Sequence, residues 1–262
     1  MHKIIAYRPS VYTISITGGY CELMCNHCKG KYLKNMKWIK DSKDLLNEFI
    51  VAKEKGYNYI LISGGFDKKG RLPIFKFLDV IKEGKIRTGI FIELHSGLIK
   101  EFDKLNGIID AVLIDVIGSQ ETIDNYIKGD WLKEDYEYCM KLAKQYIPIV
   151  AAHVLIGVDN GKIKGEYEAI DMAIRANVDV LSILTLIDNF SDIDGIKDIM
   201  MYARENFKGH LTLGCMRLKG KYRPIIEKIA VDLQYDGIAN PLYETLKYAK
   251  NVKIINGCCI LK

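Results

Sequence analysis

No apolar run in the sequence reaches the roughly 20 residues that a membrane-spanning helix needs, and Met1-His2-Lys3 opens no signal-peptide pattern. The expectation is a soluble, cytoplasmic protein with no membrane partner. No linker, low-complexity tract or charge block divides the chain, so residues 1–262 read as one domain. A chain of 262 residues with 49% hydrophobic content can build one large core or two small ones. No block of basic residues interleaved with aromatics is found, and the net charge of +5 reads as scattered lysines. That supports a mild preference for acidic partners and no nucleic acid. Disulfides are not expected either, because seven cysteines in a cytosolic chain read first as metal ligands or core residues.

What is present is an alternation of short apolar, β-branched runs with amphipathic segments. Strands are predicted at 11–17, 58–63, 88–95, 110–116, 148–156, 179–186, 210–215 and 236–240. Most are apolar on both faces, as strands of a parallel sheet covered by helices must be. Ser42 reads as a helix N-cap ahead of Leu45, Leu46, Phe49 and Ile50; Asn240-Pro241 reads as an N-cap and first-turn pair. Gly165-Glu166 opens a helix with Ile170, Ala173 and Ile174 on one face. Eight strand–helix units in this length fit a single (β/α)8 TIM-type barrel, with a doubly wound open sheet as the alternative. Residues 241–262 would form a C-terminal helix and a tail closing over the barrel mouth.

In a barrel, chemistry belongs at the carboxyl ends of the strands. There the sequence places GGYCELMCNHCKGKYL (18–33), Gly64-Gly65, Glu93, His95, Asp115, His153, Cys215 and Arg217. Cys21, Cys25, His27 and Cys28 could formally hold a structural zinc ion. His27 and Cys28 are adjacent, however, and a cubane iron–sulfur cluster suits the spacing better, one thiolate to each of three separated irons. The fourth iron would then be open to a substrate group.

Cys-x3-Cys-x2-Cys after the first strand of an α/β barrel resembles the signature of the radical S-adenosylmethionine (radical SAM) enzymes. The resemblance implies a [4Fe–4S] cluster on Cys21, Cys25 and Cys28 that chelates SAM and cleaves it reductively to a 5′-deoxyadenosyl radical. That radical abstracts hydrogen from an unactivated C–H bond, and a low-potential donor such as ferredoxin would supply the electron. His27 stands where the family usually has an aromatic residue near the adenine. Ser63-Gly64-Gly65 matches the glycines of the family's Gly-Gly-Glu motif, whose backbone holds the methionine amino group, but Phe66 and Asp67 replace the glutamate. Glu93, His95 and Asp115 are the expected partners of the SAM ribose and carboxylate.

Over nearly its full length the chain resembles the biotin-synthase-like group. GGYCELMCNHCKGKYL, LISGGFDKKG, IELHSG, HVLIGVDNGKIKGE and LGCMR are similar to biotin synthase homologues of archaea and anaerobes, including subunits of the two-protein archaeal-type lipoyl synthase. This implies sulfur insertion, with an octanoylated protein or peptide, or a small molecule, as substrate and a second radical SAM subunit as partner. The strand cysteines that hold the sulfur-donating cluster in that group are missing, with His95, Asp115 and His153 in those regions. Cys215, Cys258 and Cys259 are the candidate ligands of a second cluster, while Arg217 and His153 are the candidate substrate contacts. Other readings stay open: radical SAM chemistry without sulfur insertion (a mutase or methyl transfer), or a noncatalytic metal-binding partner subunit. Residue by residue, Gly64-Gly65 could be an ordinary turn, Glu93 a surface strand end, His95 and His153 packed histidines, and Asp115 a cap. Cys215, Cys258 and Cys259 could be buried thiols, and Cys139 reads as core.

Overall fold

The structure, a computed structural model, describes residues 2–187 and 192–261, so the final residue of the expected 241–262 tail lies outside the described residues. The strands are β1 (Ile4–Arg8), β2 (Tyr12–Ser15), β3 (Lys37–Trp38), β4 (Tyr59–Ser63), β5 (Phe91–His95), β6 (Ala111–Val116), β7 (Ile149–Ile156), β8 (Val180–Thr185), β9 (His210–Leu213), β10 (Gly237–Ala239) and β11 (Val252–Asn256). All eight predicted strands are present in shortened form. The largest trim is at 88–90, where the helix Leu78–Thr88 runs on and stops at Gly89 in the left-handed region (φ 63°). β1, β3 and β11 were not predicted. β1 and β11 depart from a strict eightfold strand–helix repeat, because β1 is followed by β2 with no helix between them.

The chain divides into two compact units, one of residues 10–114 and 123–150, the other of residues 1–9, 115–122 and 151–262. In the first, the strands run β6, β5, β4, β2, β3, each pair parallel. In the second they run β7, β8, β9, β10, β1, β11, again parallel throughout. The fold is therefore α/β with parallel strands. Both faces of a parallel strand are covered, and β8 shows it: every residue from Val180 to Thr185 is buried.

Helix packing follows the same economy. In the first unit the helix Ser42–Glu54 buries Leu45, Phe49 and Ala52. Gly84, on Leu78–Thr88, lets the two helices touch: a Cβ there would sit 2.6 Å from the Phe49 ring. Complete burial of a ring such as Phe49 stabilises by about 1.5–3 kcal/mol.

Two caps differ from the sequence reading. Asp41, not Ser42, caps the first helix, its carboxylate accepting from Asp44 N at 2.8 Å; a carboxylate is the stronger acceptor and adds charge at the helix N-terminus. The last helix starts at Tyr243 rather than after Asn240. Its first turn is satisfied from a distance, Leu242 N donating to Glu227 Oε2 at 2.8 Å and Thr245 Oγ1 to the same oxygen at 2.6 Å. No helix among the described residues is long and apolar enough to cross a membrane.

Candidate functional site

In the first unit the loop after β2 folds back on itself. Ser15 Oγ donates to Gly18 O at 2.6 Å, and Thr17 Oγ1 donates to Tyr20 O at 2.9 Å. Cys28 N and Lys29 N both donate to Cys25 O, at 3.1 and 2.8 Å, which winds the second and third cysteines into one turn. Cys21 and Cys25 are buried and Cys28 is half-buried. The Cys25 thiol hydrogen-bonds to Cys28. That bond, helped by His27 and opposed by burial, pushes the Cys28 thiol down to about 4, while Cys25 is pushed up. Within the pair, the proton is thus favoured on Cys25 and the negative charge on Cys28. His27 Nδ1 is buried with no hydrogen-bond partner.

The Ser63–Phe66 turn that leaves β4 is built onto this loop. Gly65 N donates to Thr17 Oγ1 at 2.6 Å, Glu22 N donates to Phe66 O at 3.0 Å, and Cys21 Sγ lies 4.0 Å from the same carbonyl. A Cβ on Gly65 would land 2.0 Å from Tyr20 O and 2.4 Å from Cys21 Cα, so only glycine fits. A Cβ on Gly64 would meet Leu72 Cδ1 and Thr17 Oγ1 at 3.0 Å, both side-chain atoms. Asp67 does not stand in for the absent glutamate. Its carboxylate closes the next turn, accepting from Lys69 N and Arg71 N at 2.9 Å and from the Arg71 side chain at 2.8 and 3.0 Å. Burial would raise that carboxyl, but the Arg71 contacts outweigh it and hold it below the usual range.

Glu93 and His95 share one face of β5 by strand alternation. Glu93 is fully buried, which removes the surface strand-end reading; His95 is half-buried. Cys139 is core as predicted: its thiol donates to Ile99 O at 3.3 Å and burial pushes it up to about 12.

The second unit holds the remaining candidates. His153, Ser182 and Thr212 are register partners on β7, β8 and β9, so their side chains form a row on one face of the sheet. His153 Nδ1 lies 3.2 Å from Asp115 Oδ1. Cys259 Sγ lies 3.7 Å from Ser182 Oγ. The Cys259 thiol is pushed down to about 6, chiefly by a hydrogen bond with Cys258 and then, against burial, by His153, Ser182 and Thr212. Cys215 reaches the surface, but its packed surroundings and then the Cys259 charge push its thiol up. The tail is held down here: Tyr7, fully buried, donates its hydroxyl to Leu261 O and meets His210 Nε2 at 2.7 Å. Tyr7, Ala239 and Cys259 form one buried cluster joined by Ile255, Cys258 and Leu261.

Arg217 is buried on Glu227, with Nε and Nη2 at 3.1 and 2.8 Å from Oε1, and it also donates to the carbonyls of Gly214, Ala239 and Asn240. A substrate carboxylate would have to displace Glu227 to reach it. Among the described residues, no group of three or more Cys, His, Asp or Glu side chains is arranged to hold a single metal ion. Cys21, Cys25 and Cys28 lie on one loop, with Cys25 and Cys28 close enough to hydrogen-bond. Sequence reading missed Thr17, whose hydroxyl joins the two loops, and the Ser182–Thr212 row; a hydroxyl inside an apolar strand was the available signal.

No protein-family model and no curated protein sequence matches the chain. Solved structures do resemble it. Methylornithine synthase (PylB) superposes with a TM-score of 0.59 at 12% identity, over 90% of this chain and 72% of that one. HydG, a maturase of the [FeFe]-hydrogenase, gives 0.61 at 14% identity, over 90% and 56%. SuiB of Streptococcus suis, bound to S-adenosylmethionine, gives 0.56 at 15% identity, over 81% and 51%. The chain therefore spans only about half the length of HydG and of SuiB. What it shares with these enzymes at such identities is the fold.

Proposed function

We propose that the chain is a radical SAM enzyme that holds a [4Fe–4S] cluster on Cys21, Cys25 and Cys28 and binds S-adenosylmethionine beside it. The observation that carries this reading is the joint construction of the cysteine loop and the Gly64-Gly65 turn, locked by Thr17 and tolerant of no side chain at Gly65. The donor set fits the cluster, with three sulfurs in one loop, two of them hydrogen-bonded, and no fourth cysteine among residues 18–33. SuiB, which shares the fold, was solved with SAM. When bound, cluster and SAM together supply a 5′-deoxyadenosyl radical for hydrogen abstraction.

The chain's own residues bind and orient. The N–H bonds of an amino group need acceptors, which at this turn would be the carbonyl oxygens of Gly64 and Gly65; the Gly65 N–H is committed to Thr17 and fixes how that peptide faces. Buried Glu93 and half-buried His95 are our choice of partners for SAM's polar groups. His27, beside Cys28, supports the thiolate there.

For the reaction, we favour hydrogen abstraction without sulfur insertion, because Cys259 is buried on Ser182 in a row of hydroxyls. Sulfur insertion into an octanoyl chain, as in lipoyl synthase, is the second reading. It rests on Cys259, which hydrogen-bonds with Cys258 and acts electrostatically on Cys215 within the same unit. Anaerobic reconstitution followed by iron analysis and detection of 5′-deoxyadenosine under strong reductant tests both. One cluster per chain with SAM cleavage supports the first reading, and two clusters support the second. No cleavage, or loss of none of it in Cys25→Ala, overturns the proposal.

A further inference from the structure

Lysines that look scattered along the sequence converge on the cysteine loop. Residues 29–40, KGKYLKNMKWIK, carry five lysines, Tyr32 and Trp38, and no acidic residue. Lys29, Lys31, Lys34, Lys37 and Lys40 are all exposed. Lys37 pairs with Glu48 at 3.2 Å, whereas Lys29, Lys31, Lys34 and Lys40 form no ion pair among the described residues. Lys68 and Lys69, also exposed, join them from the adjoining turn, where Lys68 N donates to Glu22 Oε2 at 3.2 Å. The nearest carboxylates already have work: Glu22 takes that N–H, and Asp41 caps a helix.

The charge surrounds an apolar centre. Tyr20, Met24 and Trp38 are 69%, 50% and 49% exposed. They are contiguous with the loop: the Trp38 ring lies 2.9 Å from where a Gly19 Cβ would stand, and a Gly30 Cβ would be 3.8 Å from both Gly19 O and Met24 Sδ. Trp38 is held in place by its Nε1 donating to Leu33 O at 2.8 Å. An oriented aromatic anchor inside a charged rim is the anatomy of a protein-docking site. The thiols belong to the same loop and turn away from solvent where their neighbours face it: Tyr20, Met24 and Lys29 are exposed, whereas Cys21 and Cys25 are buried and Cys28 is half-buried.

We propose that this face is the docking surface for an acidic one-electron carrier protein, which delivers its electron through the thickness of one loop to the group held by Cys21, Cys25 and Cys28. The inference rests on the radical SAM reading above. One electron leaves the carrier and enters that group; no bond forms or breaks in either protein. Lysine charge supplies attraction and encounter rate, while Trp38 and Met24 supply the apolar contact. Nucleic acid would profit from the charge as well, but only a redox carrier gains from a site on the outer side of the loop that bears the thiols.

The test compares wild type with Lys31→Glu/Lys34→Glu/Lys40→Glu, matched for iron content, using an acidic photoreduced ferredoxin or dithionite as reductant. At low salt the ferredoxin-driven rate of SAM cleavage should fall by about tenfold or more in the variant. The dithionite-driven rate should stay within about twofold, and the wild-type ferredoxin rate should drop as salt rises towards the ~0.1 M range where screening sets in. Equal ferredoxin rates in the two proteins, or equal losses with both reductants, overturn the proposal. So does mixed tRNA that displaces ferredoxin from wild type and binds more tightly than it does. Should wild type cleave no SAM even with dithionite, the enzymatic reading fails by itself; ferredoxin binding measured by calorimetry, retained in wild type and lost in the variant, still decides the surface.

Discussion

Replacing Gly65 by alanine adds one methyl group where the cysteine loop meets the turn after β4. That carbon would lie 2.0 Å from Tyr20 O, 2.4 Å from Cys21 Cα and 2.6 Å from Cys21 Cβ. Unstrained carbon contacts are about 3.5–4.0 Å, so one backbone segment must retreat by more than an ångström. Gly65 has no positive φ, so dihedral strain plays no part and the whole effect is steric. Overpacking of this kind costs about 1–3 kcal/mol, or roughly 2–4 °C of melting temperature per kcal/mol at this chain length. The functional loss should exceed the stability loss, because the displaced segment includes Cys21 itself and breaks the Gly65 N–Thr17 bond. Gly64→Ala is the control: its new carbon meets Leu72 Cδ1 and Thr17 side-chain atoms at 3.0–3.1 Å, and these can yield. Iron per chain after anaerobic reconstitution, SAM cleavage and thermal melting should rank wild type, then Gly64→Ala, then Gly65→Ala. Wild-type iron and turnover in Gly65→Ala would refute the steric coupling of the two loops.

Cys259 should behave as a thiolate at neutral pH. The difference in ultraviolet thiolate absorbance between wild type and Cys259→Ser should rise through a midpoint near pH 6, well below the free-thiol value of about 8.5; a midpoint at or above the free value contradicts the hydrogen bonds of Cys259 with Cys258 and Ser182. Glu227→Ala leaves Arg217 buried and unpaired, which should cost about 3–5 kcal/mol in denaturant unfolding. Glu227→Ala/Arg217→Met should recover part of that loss, whereas an additive double mutant denies the pair. Burial alone would raise the Glu227 carboxyl, but Thr245, Arg223, Leu242 N and Arg217 hold it below 4.5. Its stabilising contribution is therefore present above that pH and is lost as pH falls below it; the variant should show a weaker acid dependence over the same interval.

Much of this was legible because it is local. Apolar β-branched runs bounded by turn residues gave all eight strands of the repeat, and the spacing of Cys21, Cys25 and Cys28 singled out the loop after β2. β11 escaped because an edge strand need not be apolar on both faces: Lys253 and Ile254 are exposed. β1 escaped because Ile4–Arg8 ends against Pro9 and no helix follows it to mark a strand–helix unit, although Ile4, Ala6 and Tyr7 are buried. Partnerships across long stretches of chain leave no spacing to read. Tyr7 meeting His210 and Leu261, Glu227 satisfying the helix that begins at Tyr243, and Thr17 receiving Gly65 N are all of this kind. Arg217 and Glu227 are only ten residues apart, but no motif in the sequence announces that Glu227 is its ion-pair partner. Lysines at 29–40 were visible one by one, but their meaning came from the exposed Trp38 and the adjoining thiols.

The most direct measurement is electron paramagnetic resonance of the anaerobically reconstituted, reduced protein, recorded before and after adding S-adenosylmethionine, with Cys25→Ala alongside. A cluster held by only Cys21, Cys25 and Cys28 keeps one iron open to the cofactor, so the wild-type signal should change on addition and the variant should give none. An iron–sulfur signal that SAM leaves unaltered, or one of equal size in Cys25→Ala, would contradict the account.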